Sequence, residues 1–339
     1  MRSSVLWLAC IACSFVIVGL VRRAAVTHGV LDLPNLRSSH RVPTPRGGGL
    51  GIAVTTLAAL WLLWLTNYVD WRLFSVIALG GGLVAVTGAI DDVKSLSVPV
   101  RLAVHLLVAG VSIYQLQWFG TVQVGDQFIE LGIFGYALGL VGIVWTLNLF
   151  NFADGIDGFA ASEAIFITCG WLMLGGPHSS SGTIIAFAGA CAGFLMWNWP
   201  PAKIFMGDIG SGFLGFVIAV LAIDAAQENP AALFVWLILG SAFFADATVT
   251  LIRRIVRGEP IYKAHRSHAY QILARRWNSH RSVTLAVMGL NIVILLPVAW
   301  LANSQRSWAA AIAFCTVAAL GTLAWSLGAG AEESASIDP

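Results

Sequence analysis

Charge is what this sequence has least of. Asp, Glu, Lys and Arg make up 11% of its 339 residues, where a soluble domain carries about 25%. With 58% hydrophobic residues and a mean hydropathy of +0.81, that scarcity excludes a chain held in water by its surface. Cysteine is scarce as well. Cys10, Cys13, Cys169, Cys191 and Cys315 all fall in apolar runs, and none has metal-ligand spacing with a second soft ligand. They suit small buried apolar residues rather than a thiolate metal site. The net charge of +2 says little about partners, and no nucleic acid is expected. No small-residue cleavage site follows the first apolar run. Arg22 and Arg23 do, so the run reads as a retained helix and not as a secretion signal. No internal repeat is evident.

What the sequence does have is apolar runs near the length that spans a bilayer as a helix, about 20 residues. Eleven are read, at 4–21, 47–66, 73–90, 101–119, 132–150, 159–176, 183–199, 208–224, 231–251, 282–302 and 308–327. The apolar part of 208–224 is short. The expected fold is an all-α polytopic membrane protein of about 11 transmembrane helices. It forms a single domain over 1–339 with a flexible acidic tail at 328–339. "TVQVGDQFIEL" (Thr121 to Leu131) alternates apolar and polar residues around Gly125-Asp126, the pattern of a small β-hairpin.

Orientation follows from the cations, because Lys and Arg stay cytoplasmic. When alternate loops are assigned to opposite sides, sixteen basic residues fall on one side. Only Arg2, Arg72 and Arg306 fall on the other. The N-terminus is expected outside and the C-terminus in the cytoplasm, with the hairpin on the outer, periplasmic side.

The polar stretches segregate on this topology. "DLPNLRSSHRVPTPRGGG" (Asp32 to Gly49), "DDVKSLSVPVRL" (Asp91 to Leu102), "NLFNFADGIDG" (Asn148 to Gly158), "KIFMGDIGSG" (Lys203 to Gly212) and "GEPIYKAHRSHAYQ" (Gly258 to Gln271) all fall in inner loops. Carboxylates at the rim of a bundle are costly unless paired or used. Asp91, Asp92, Asp154, Asp157 and Asp208 are hard oxygen ligands of the kind that suits Mg²⁺, with Mn²⁺ as a substitute. Lys94, Arg101, Lys203, His265, Arg266 and His268 can hold phosphates. Asn148 and Asn151 can donate to a phosphate or accept from a nucleobase. The chemistry implied is metal-assisted phosphoryl transfer. Arg253, Arg254 and Arg257 read as anchors of the ninth span, with Asp246 as a partner for one of them.

These five motifs, in this order over about residues 30 to 300, resemble the polyprenyl-phosphate N-acetylhexosamine-1-phosphate transferases (glycosyltransferase family 4). The resemblance implies that a membrane-embedded undecaprenyl phosphate attacks a UDP-N-acetylhexosamine and UMP leaves, with Mg²⁺ assisting. It implies Asp208 as principal metal ligand, with Asp92 supporting metal or phosphate. Asp91 would assist the lipid phosphate as a candidate base. Asn151, Asp154 and Asp157 would organise nucleotide and metal, and Lys94 would be a cation near the phosphates. His265, Arg266 and His268 would form the basic loop on the pyrophosphate or sugar. The form of that loop, "HRSHAYQ", is closest to the O-antigen-initiating branch, with GlcNAc or a 6-deoxy relative (FucNAc, QuiNAc) as the sugar. A bacterial inner membrane with the active site facing the cytoplasm is the implied location, with lipids and a second copy of the chain as further partners. A secondary transporter and a polyprenyl pyrophosphate hydrolase are the competing readings.

Overall fold

In the computed structural model, residues 3–32, 42–118, 120–175, 179–259 and 265–331 are described. Arg2, Arg37, Arg41, Lys263 and the acidic residues Glu332, Glu333 and Asp338 lie outside them, as does most of the expected tail.

The chain runs through α1 (Ser3–Thr27), β1 (Leu31–Asp32), β2 (Thr44–Pro45), α2 (Gly49–Leu65), α3 (Trp71–Ser75), α4 (Gly82–Lys94) and α5 (Val98–Leu116). The hairpin β3 (Thr121–Val124) and β4 (Gln127–Glu130) follows, then α6 (Ile133–Ala153), α7 (Phe159–Met173), α8 (Ser181–Asn198) and α9 (Asp208–Glu228). Last come α10 (Ala232–Leu239), α11 (Ser241–Val256), α12 (Ala269–Trp277), α13 (His280–Leu290), α14 (Leu296–Ser304) and α15 (Ala309–Leu327). One turn of π-helix joins α3 to α4 and another joins α13 to α14, so Trp71–Lys94 and His280–Ser304 each run as one span.

Among the described residues, eight helices are long and apolar enough to cross a membrane. A ninth is made if α10 and α11, bent by 76°, count as one. The two remaining runs of the eleven form shorter apolar helices, α2 with 17 residues and α7 with 15. At 1.5 Å per residue α7 is only about 22 Å long, less than the roughly 30 Å hydrocarbon core. The hydropathy pattern thus placed a helix at every run, two of them shorter than the usual spanning length.

The run at 208–224, whose apolar part is short, is the centre of the bundle. α9 is buried on every side, with Phe213, Leu214, Phe216, Val217, Val220 and Leu221 fully covered. A helix apolar all round belongs inside. It packs against α2, α4 and α6. The contact with α4 is close because residue 88 is glycine: a Cβ there would run into the backbone of Asp208 and Ile209. Small residues let membrane helices approach in this way, and here the approach sets Asp91 and Asp92 of α4 beside the start of α9.

The hairpin forms as expected. Thr121 pairs with Glu130 and Val124 with Gln127 around Gly125-Asp126, and Gly125 has φ +62°. A second ladder, β1 with β2, pairs Leu31 with Pro45 and Asp32 with Thr44. Beyond β2 the chain runs beside the segment before α9: the Phe205 N–H donates to Pro45 O at 2.8 Å and the Gly49 N–H to Met206 O at 2.9 Å. Arg46 is delivered to the bundle's polar end by these bonds.

Candidate active site

The first group of site residues forms where α4, α5 and α9 meet. The carboxylate of Asp92 accepts from the backbone N–H of Asp208 at 3.0 Å and of Ile209 at 3.3 Å. Those N–H groups open α9 and have no partner within the helix. Arg46 lies across two acids, with Nε 3.0 Å from Asp92 Oδ1 and Nη2 3.2 Å from Asp208 Oδ1. Burial alone would lower the Arg46 guanidinium. The Asp92 and Asp208 carboxylates outweigh it and raise it. Asp91 accepts from the Leu96 N–H and from Arg101 Nη1, the latter at 2.6 Å. Both of its oxygens therefore hold the turn between α4 and α5. Among the described residues, Asp208 has Arg46 and, at 3.7 Å, Arg101 on its oxygens, besides its contact with Asp91. Of the three acids it keeps the most acceptor capacity for a ligand.

The second group lines a polar cavity of about 850 Å³, inside the range of about 300–1,000 Å³ typical of small-molecule sites. Arg46, Asp154, Asp157, Gly207, His265, Arg266, Arg275, His280 and Arg281 are among the residues that line it. Asp154 follows the last residue of α6. Burial pushes its carboxyl well above the usual range, against the pull of Arg46. Asp157 accepts from the Ala202 N–H at 3.0 Å, and its carboxylate lies 3.4 Å from His280 Nδ1. Gly155 sits against Tyr270, whose hydroxyl donates to Phe152 O at 2.6 Å.

The basic loop is divided by burial. His265 and Arg266 face the polar cavity. Burial, then the neighbouring His268 and Arg254, lowers His265 to about 3, so it is neutral at physiological pH. His268 is 3% exposed and lines a separate apolar cavity of about 270 Å³ with Phe152, Phe243, Leu290, Leu323 and Leu327. The rings of Phe152, His265 and His268 stand within 4.9 to 6.4 Å of one another, centroid to centroid, between the two cavities.

The sequence-selected residues do not all converge. Lys94 is exposed in the last turn of α4 and does not line either cavity. Asn148 donates to Val144 O of its own helix at 2.7 Å. Asn151 is half-buried one turn before Asp154. Asp246, paired on paper with an arginine of its own helix, instead accepts from the Ala269 N–H at 2.8 Å and the Tyr270 N–H at 3.2 Å. It caps α12 as Asp92 caps α9. Arg254 pairs with Glu259 at 3.1 Å.

Sequence reasoning missed Arg46, Arg275, His280 and Arg281 as site residues. Arg46 had a signal, its place in "TPRGGG". His280 had none, since 123 residues separate it from Asp157.

The donor set suits a hard divalent cation, with carboxylates from Asp92 and Asp208 and no thiolate beside them. Among the described residues no group of three or more His, Cys, Asp or Glu is arranged as a ready metal cage.

Comparison with known proteins places this arrangement. A family model described as glycosyl transferase family 4 matches residues 74–226. The probable undecaprenyl-phosphate N-acetylglucosaminyl 1-phosphate transferase of Bacillus subtilis is 33% identical over 284 residues, covering 80% of this chain and 77% of that protein. The chain belongs to glycosyl transferase family 4, among the polyprenyl-phosphate N-acetylhexosamine-1-phosphate transferases. Two further relatives are also similar. The undecaprenyl-phosphate alpha-N-acetylglucosaminyl 1-phosphate transferase of Thermotoga maritima is 28% identical over 281 residues, 81% of this chain and 83% of its own. The decaprenyl-phosphate N-acetylglucosaminephosphotransferase of Mycolicibacterium smegmatis is 28% identical over 305 residues, 79% and 74%. The stretch matched by the family 4 model holds Asp91, Asp92, Asp154, Asp157 and Asp208. The His265–His268 loop lies beyond it.

Proposed function

We propose that this protein transfers N-acetylhexosamine 1-phosphate from a UDP-sugar to undecaprenyl phosphate, releasing UMP and starting O-antigen or a related surface polysaccharide. The observation that carries the reading is the pairing of two cavities of opposite character. One is polar and faces Asp154, Asp157, Arg266 and Arg46, which suits a nucleotide sugar. The other is apolar and begins behind His268, which suits an isoprenoid chain.

In the reaction an oxygen of the lipid phosphate bonds to the β-phosphorus of the donor. The bond from that phosphorus to the bridging oxygen breaks, and UMP carries the bridging oxygen away. A phosphate monoester with a second pKa of about 6 is already largely ionised at pH 7, so the attack needs little help from a base. Asp91, committed to Leu96 and Arg101, acts by holding Arg101 toward the phosphates. Asp208 and Asp92 would hold Mg²⁺, which when bound neutralises phosphate charge. Arg46 and Arg266, both lining the polar cavity, bind phosphate oxygens. His265, neutral, donates a ring N–H. The sixteen-to-three bias of basic residues favours a cytoplasmic face for this end of the bundle, in a bacterial inner membrane. The sequence of the basic loop favours GlcNAc or a 6-deoxy-N-acetylhexosamine.

The test supplies purified protein, Mg²⁺ and undecaprenyl phosphate with a panel of UDP-N-acetylhexosamines, and identifies the product by mass. A lipid-linked sugar pyrophosphate with stoichiometric UMP is expected from at least one donor. No UMP from any donor, or inorganic phosphate released from a polyprenyl pyrophosphate instead, would sink the proposal.

A further inference from the structure

The His265–His268 loop is held from two directions. From below, Asp246 of α11 accepts the Ala269 and Tyr270 N–H groups. From above, the chain leaving α15 folds back onto the loop, and the Gly330 N–H donates to Ser267 O at 2.7 Å. Ser267 in turn brings its hydroxyl to 3.0 Å from His265 Nδ1. A direct path therefore runs from the end of α15 to a ring in the polar cavity.

The turn after α15 is itself fixed by a residue of α11. The Arg253 guanidinium lies 3.8 Å from the centroid of the Trp325 ring, a cation–π contact. Its Nη1 donates to Ala329 O at 2.8 Å. Gly328 reverses the helix with φ +98°, and the Ala329 N–H returns to Ala324 O at 2.9 Å. Ala269, Ala324 and Ala329 form a small buried cluster separate from the main core. It joins the first residue of α12 to the end of α15. Gly330 has φ +67°, and a Cβ there would lie 2.8 Å from Thr250 O, so only glycine fits that turn without strain.

We infer that the turn after α15 is a latch that sets the His265–His268 loop, with Arg253, Trp325 and Gly330 as its positioning residues. None of the three touches the polar cavity. They act through Ser267 and the start of α12. The inference uses the transferase reading for its kinetic consequence, while the amide-exchange arm of the test stands without it.

The experiment uses the full chain in lipid nanodiscs and compares wild type with Arg253→Ala, Arg253→Lys, Trp325→Ala and Gly330→Val. Trp300→Ala, on the exposed face of α14, serves as control. Hydrogen exchange is read at the amides of Ser267 to Gln271, and kcat and KM are read for donor and lipid separately. The latch predicts exchange faster by about tenfold in Arg253→Ala, Trp325→Ala and Gly330→Val. It also predicts a donor KM raised on the order of tenfold. Arg253→Lys, which keeps a donor and a cation, should recover most of both, and Trp300→Ala should change neither. Wild-type exchange at these amides in Arg253→Ala and Gly330→Val overturns the latch. If Gly330→Val does not insert, Arg253→Ala against Arg253→Lys decides it. Raised exchange in a protein that makes no UMP from any donor keeps the latch and removes the transferase.

Discussion

Asp92 accepts a hydrogen bond from the backbone N–H of Asp208 at 3.0 Å, across 116 residues of chain. One acid thus closes the open end of the helix that presents the other. The two roles separate on substitution. Asp92→Asn weakens the cap and its ion pair with Arg46, and should lower stability by about 1–2 kcal/mol as well as activity. Asp208→Asn should leave thermal unfolding in detergent nearly unchanged while turnover falls on the order of a hundredfold or more. Equal loss of stability in both variants would show that Asp208 is structural too.

Arg46 offers a sharper contrast. Its planar fork spans Asp92 and Asp208, and a lysine has one point of charge where the guanidinium has a fork. Arg46→Ala and Arg46→Lys are both expected to lose turnover, by on the order of tenfold to a hundredfold. Full activity in Arg46→Lys would mean that charge alone matters at this position.

Dependence on a divalent cation is expected and is checked by chelation. EDTA should abolish UMP release from the wild type, and Mg²⁺ should restore it. The Asp208→Asn variant should need far more Mg²⁺ for whatever activity it retains. Undiminished turnover in EDTA would remove the metal from the account.

His265 gives a pH prediction with a definite sign. Its folded value lies near 3, below the ordinary value of 6.5, so between these the unfolded chain binds a proton that the folded chain refuses. Stability then falls as pH drops below about 6.5 and levels off near 3. Unfolding midpoints of wild type relative to His265→Asn should diverge over that window, with the wild type losing more. They should run parallel above pH 7.

Gly88 tests whether helix packing positions the acids. Gly88→Ala forces α4 away from the start of α9, which should destabilise the bundle by about 1–3 kcal/mol and separate Asp92 from the Asp208 N–H. Gly82→Ala is the control, since a Cβ there meets nothing. If Gly88→Ala unfolds and turns over like wild type, the close approach is not what sets the site.

Much of this was legible in the sequence because the bilayer imposes a simple rule. Every spanning backbone must satisfy itself as helix, so the eleven apolar runs could be placed, the hairpin recognised at Gly125-Asp126, and the five polar loops assigned to one rim. The family motifs then named Asp91, Asp92, Asp208 and the basic loop. Two of the runs fold into helices shorter than the usual span. α7 can be short because it packs against α8 and α10 rather than having to match the bilayer alone.

The sequence by itself determined which segments enter the membrane and which polar residues gather at one end, because both follow from local hydropathy and from alternation along the chain. The tertiary structure alone decided what each acid does there. Asp92 caps α9, Asp246 caps α12 and Asp157 meets His280, because helix ends need partners for their amides and buried carboxylates need donors. Those partners are supplied by whichever distant segment the packing brings within 2.8 to 3.4 Å, and no periodicity in one stretch of chain encodes that.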